Sequence, residues 1–128
     1  GLEHDIFHGK MEQDDRERAL IKFRNGSHRV LVTTDLASRG LDIPEIENIV
    51  HYQLPHNNEA FVHRNGRTAR MKASGTAWLI LTDEGKPNFI DGSIEIVEVS
   101  ADADLPKPSS WVTIYIAAGK KDKINREK

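Results

Sequence analysis

A helix-patterned segment followed at once by a short, unbroken β-branched run is the feature that most constrains how this chain can fold. In Gln13–Arg24, Ala19, Leu20 and Phe23 cluster at helical spacing and charges fill the other faces. Gly26 stands where such a helix would stop. Residues 29–33 (RVLVT) follow as a continuous apolar run, the pattern of a strand buried on both faces. The alternation continues, with strands expected at 49–53 (IVHYQ), 76–82 (TAWLILT), 94–99 and 112–116, and a helix expected at 58–69. Strands alternating with helices across short connections imply βαβ units, hence an α/β fold built on a mainly parallel sheet with flanking helices. Ligands of open parallel sheets gather beyond the carboxyl ends of the strands. Residues 33–35 follow one such end, and the helix after Gln53 carries its arginines past another.

Composition narrows the class. The chain has 128 residues, 30% of them charged and 38% hydrophobic, with no cysteine. Disulfides and cysteine-ligated zinc are therefore excluded, and the expected setting is cytoplasmic. No apolar run approaches the ~20 residues of a membrane span, and no leader-like segment follows Gly1. The formal net charge of −2 gives no global attraction to nucleic acid, so any such binding must be local. Residues 83–105 hold seven acids against Lys86 alone, whereas residues 117–128 hold five bases against two acids. Between these blocks, 105–110 (LPKPSS) reads as a linker. The expected division is a domain over 1–104, the linker, and a further segment over 111–128.

Two constellations carry chemistry. Residues 63–70 (HRNGRTAR) place Arg64, Arg67 and Arg70 within eight positions. On a helix Arg67 and Arg70 share a face and form a fork suited to phosphate oxygens. A solvated basic surface is the ordinary reading of such a cluster. The segment 33–43 (TTDLASRGLDI) changes the weighting, because a buried strand that delivers threonine, aspartate, arginine and glycine is an unusual structural turn. There Thr34 can offer a hydroxyl and a backbone amide to a phosphate, and Asp42 can accept from a ribose hydroxyl.

These segments resemble motifs V and VI of the DEAD-box RNA helicases, and 8–26 (HGKMEQDDRERALIKFRNG) resembles their motif IVa. The three occur in the family's order and cover about residues 7–82. The resemblance implies the C-terminal RecA-like domain of an ATP-dependent helicase. It casts Arg67 and Arg70 as arginine fingers for the γ-phosphate, a role that stabilises charge in phosphoryl transfer. It further implies that Asp42 binds the ATP ribose and that Arg39, His63 and Arg64 belong to an interdomain network. Thr34, Gly9, Gln13 and Arg16 are cast as RNA-binding residues. Ala69 departs from the family pattern, which usually has glycine there; alanine is the smallest change and a good helix former.

Neither a GxxxxGK[ST] phosphate loop nor a DEAD sequence occurs. In the family both lie on the N-terminal RecA-like domain, which would hold most of the ATP and Mg²⁺ and would be this domain's partner. The expectation is therefore a domain that lacks its first strand and binds neither group alone. The tail 111–124 (WVTIYIAAGKKDKI) is similar to the opening of the RRM-like domain in DbpA-type bacterial members of the family. That similarity implies RNA contacts by Lys120, Lys121 and Lys123, structured ribosomal RNA as target and a place in ribosome biogenesis. The six histidines show no metal spacing, and Trp78, inside an apolar strand, is expected in the core. A non-catalytic RNA-binding scaffold with the same fold is the competing function.

Overall fold

The structure, a computed structural model, describes residues 2–38, 46–66, 75–82, 85–90 and 92–115. Within them the elements run β1 (His4–Phe7), α1 (Gln13–Arg24), β2 (Val30–Thr33), α2 (Asp35–Ser38), β3 (Asn48–His51), α3 (Asn58–Asn65) and β4 (Thr76–Leu79). β1 pairs with β2 in parallel, Phe7 facing Thr33, and β3 pairs with β4 in parallel, Val50 facing Trp78. The α/β class and the parallel pairing agree with the sequence pattern. Among the described residues the strands form two two-stranded ladders.

Helix α1 has the predicted bounds, for visible reasons. Asp14 and Asp15 occupy its first turn and Lys22 and Arg24 its last, each complementing the helix dipole. Gly26, at φ +71°, closes a Schellman turn in which its amide donates to the Phe23 carbonyl and the Ser27 amide to that of Lys22. The chain then reverses into β2. Phe7, Ala19 and Ala37 form the buried core between β1, α1 and α2, flanked by Leu20, Phe23, Leu31 and Ile46.

Strand β1 was not visible in the sequence, because HDIF lacks an apolar alternation. Its Asp5 is kept largely inside by the His28 ring nitrogen Nδ1 at 2.6 Å and the Lys22 ammonium at 3.5 Å. The expectation that residues 29–33 are buried on both faces is corrected. Leu31 packs on the core, but Val32 is 52% exposed and Ile6, its register partner, 51%. The second ladder repeats the pattern, with Val50, Trp78 and Ile80 exposed on one face. Trp78 is therefore no core residue; its indole Nε1 donates to the Asn48 side-chain oxygen at 2.9 Å. Among the described residues one face of each ladder stays open, with α1 packed on the first ladder and α3 meeting His51 of the second, so β-branched content marked strands without marking burial.

Residues 94–99 and 112–115 are not strands. Among the described residues no neighbouring backbone pairs with them, and Ile96, Val99, Val112 and Ile114 stay exposed; β propensity without a partner ladder does not make a strand. The stretch read as linker packs back on the domain instead. Arg29 donates to the Lys107 carbonyl, Ser109 Oγ to the Gly26 carbonyl, and the Ser27 and Thr113 hydroxyls meet at 2.6 Å. The Arg18 guanidinium lies 4.5 Å from the Tyr115 ring centroid. Thr113→Val, which removes one half-buried hydroxyl pair, should lower stability by about 1 kcal/mol in denaturant melts; an unchanged midpoint would mean the segment floats free.

Candidate nucleotide and nucleic-acid site

Parallel pairing puts the carboxyl ends of β1 and β2 side by side. Gly9 follows β1 with open space where a side chain would begin, and Thr34 follows β2. The Thr34 amide donates to the Phe7 carbonyl at 3.4 Å, prolonging the ladder by one bond. Of the hydroxyl and the amide that the sequence offers there, the hydroxyl is therefore the group left for a ligand. Arg16 on α1 stacks its guanidinium 5.0 Å from the Phe7 ring centroid, with Nε buried and without a hydrogen-bond partner among the described residues. Gln13, one turn earlier, donates to Glu17 at 3.1 Å on the exposed side of α1. Gly9, Arg16 and Thr34 thus gather around one end of the first ladder, while Gln13 is occupied along its own helix.

Helix α3 starts because Asn57 caps it, its side-chain oxygen accepting from the Ala60 amide at 2.8 Å. His63 is exposed, its Nε2 lying 3.8 Å from Glu59 one turn back. Arg64 does more. Its Nε and Nη2 donate to the two carboxylate oxygens of Asp35 at 2.6 and 2.7 Å, a bidentate pair. Its Nη1 donates to the Gln53 carbonyl at 2.7 Å and to His51 Nδ1 at 3.3 Å. His51 in turn faces the Asn65 side-chain oxygen through Nε2 at 2.9 Å. One guanidinium therefore ties α3 to the end of β3 and to the start of α2.

The consequence concerns both motif-bearing segments. Asp35 belongs to TTDLASRGLDI and Arg64 to HRNGRTAR, and their ion pair joins the two. The Arg64 side chain is 19% exposed and that of Asp35 51%, so the pair sits at the domain edge. Asp35 and His51 escaped sequence reasoning. Asp35 stood in a quoted motif without an assigned role, and His51 was weighed only as a metal ligand. Its place at the end of an alternating strand was the available signal, since Ile49 and His51 share the inward face of β3. Arg39, Asp42, Arg67, Arg70, Lys120, Lys121 and Lys123 lie outside the described residues. Among the described residues no group of histidines and carboxylates could hold a metal ion, and no helix is long and apolar enough to cross a membrane.

Burial, at 2% exposure, lowers the His51 pKa below its ordinary value. The Asn65 hydrogen bond and the Asp35 charge pull it back up, while Arg64 lowers it further. The unfolded chain thus takes up this proton first as pH falls. The stabilising contribution of neutral His51 is complete above about pH 6.5 and is lost as pH falls through its lowered folded value. The Tm difference between the wild-type chain and His51→Asn should accordingly narrow below that pH; a constant gap would contradict the assignment.

In a parallel α/β domain ligands gather beyond the carboxyl ends of the strands, and Thr34 and the Arg64–Asp35 pair stand there. The model of the helicase conserved C-terminal domain matches residues 1–72, and the chain belongs to that family. It is 52% identical over 77 residues to DEAD-box ATP-dependent RNA helicase 53 of Oryza sativa subsp. japonica, covering 60% of this chain and 13% of that one. It is 39% identical over 127 residues to ATP-dependent RNA helicase DbpA of Escherichia coli, covering 91% of this chain and 27% of that one. Among solved structures, the C-terminal domain of the DEAD-box protein Dbp5 superposes with a TM-score of 0.56 at 36% identity, over 66% of this chain and 50% of that one. The RNA-helicase Prp28 of Chaetomium thermophilum bound to ADP gives a TM-score of 0.59 at 42% identity, over 66% and 21%. The fold is the RecA-like fold of helicase C-terminal domains. The chain spans about an eighth of the first of these curated relatives and about a quarter of the second.

Proposed function

We propose that this chain works as the second RecA-like domain of an ATP-dependent DEAD-box RNA helicase, closing with a first RecA-like domain over ATP and RNA. The observation that carries the reading is the Arg64–Asp35 pair, which joins the motif V and motif VI segments at the strand ends. In this reading Arg67 and Arg70 act on the γ-phosphate, Asp42 takes the ribose, and Arg39 and His63 meet the other domain. Thr34, Gly9, Gln13 and Arg16 contact the RNA backbone. Mg²⁺ and most of the ATP are held by the first domain, where the phosphate loop of such enzymes lies.

The tail reading is part of the same proposal. The likeness to DbpA extends over 91% of this chain, against 60% for the rice relative, and so reaches the tail. That supports residues 111–128 as the start of an RRM-like module, with Lys120, Lys121 and Lys123 on the phosphate backbone of structured ribosomal RNA. A cytoplasmic role in ribosome biogenesis follows from this reading. The test is ATP hydrolysis by a protein carrying both helicase domains. Stimulation by RNA and not by DNA is expected; stimulation by DNA alone, or hydrolysis indifferent to nucleic acid, would refute it.

A further inference from the structure

We propose that His51 is a positioning residue for the arginine segment, its two ring nitrogens holding the Arg64 guanidinium and the Asn65 side chain and so fixing where α3 ends over β3. The geometry stands by itself; the catalytic consequence rests on the helicase reading above.

The imidazole meets α3 at three residues of one helical face. Phe61 stacks at 5.5 Å between ring centroids, Arg64 reaches Nδ1 at 3.3 Å, and Asn65 faces Nε2 at 2.9 Å. Positions i, i+3 and i+4 are the ones a helix turns toward a single neighbour. Arginine has only donors, so Nδ1 must accept and carries no proton. The ring proton is then on Nε2, where it donates to the Asn65 oxygen. A neutral ring with one tautomer is the only state that satisfies both partners, because a proton on Nδ1 would face the Arg64 guanidinium. Arg64 passes the constraint on to Asp35 at the start of α2. Among the described residues the charged groups facing the ring are Arg64 and, behind it, Asp35. The Phe61 ring also meets Phe89, with 6.2 Å between ring centroids. In sequence Arg67 and Arg70 follow the end of α3 by two and five residues, and in the helicase reading their action depends on where α3 ends.

The test has two arms. In the isotopically labelled 128-residue chain, long-range ¹H–¹⁵N correlations read the tautomer directly. The Nε2–H form is expected at neutral pH, persisting into acid where an ordinary histidine is protonated; an Nδ1–H form, or ordinary titration, would overturn the proposal. In a protein carrying both helicase domains, His51→Phe keeps the ring contact but removes both nitrogens, whereas His51→Asn restores an acceptor at the Nδ1 position. His51→Phe should lower kcat for RNA-stimulated ATP hydrolysis by about tenfold to a hundredfold, with KM for ATP much less affected and His51→Asn recovering most of the loss. Equal kcat in wild type and His51→Phe, or no recovery by His51→Asn, would overturn it. If His51→Phe fails to fold, the tautomer and His51→Asn decide. A wild-type two-domain protein without ATPase activity would sink the helicase reading, and the tautomer then judges the positioning claim alone.

Discussion

Arg67→Ala or Arg70→Ala, placed in a protein carrying both helicase domains, should reduce RNA-stimulated ATP hydrolysis by about a thousandfold or more. Arginine fingers act on charge that develops during phosphoryl transfer, so their removal weakens the transition state far more than the bound ground state. Stability should change far less than turnover. Turnover and melting temperature measured on the same preparations separate these effects. Undiminished turnover in both variants would dismiss the finger assignment.

Arg64→Ala carries the second large effect, and there stability moves as well as activity. The side chain makes two charge-assisted bonds to Asp35, one to the Gln53 carbonyl and one to His51. Breaking a bidentate pair of this kind costs about 2 kcal/mol. The half-exposed Asp35 keeps the value at that level, since water can replace part of what it loses. For a domain of this size such a loss lowers Tm by about 10 °C. Arg64→Lys should recover little of it, because an ammonium cannot reproduce the fork that meets both carboxylate oxygens. A thermal melt of the chain with either substitution checks this, and an unchanged Tm would remove Arg64 from its structural role.

Much of the fold could be read from residue pattern, because α1, β2, β3, α3 and β4 each announce themselves locally. Gly26 marks the end of α1 and Asn57 the start of α3 through backbone chemistry that needs no tertiary partner. Elements whose identity depends on a partner were harder to read. β1 is a strand because β2 pairs with it and because His28 and Lys22 accommodate Asp5. Residues 94–99 and 112–115 have strand-like composition and no ladder. The site divides in the same way. Motif spacing indicated Arg64 and Thr34, but their partners came from the fold. Asp35 is 29 residues from Arg64 in sequence, and no local pattern predicts that one carboxylate receives the guanidinium. Nor could sequence show that Thr34 spends its amide on β1.

In the proposed division of labour, this chain supplies arginines to a nucleotide held elsewhere. ATP hydrolysis by residues 1–128 alone, measured with and without saturating RNA, is the decisive test. Weak, salt-sensitive RNA binding and no turnover above the uncatalysed background are expected. RNA-stimulated turnover by this chain alone, at the ~1 s⁻¹ or more typical of enzymes, would contradict it.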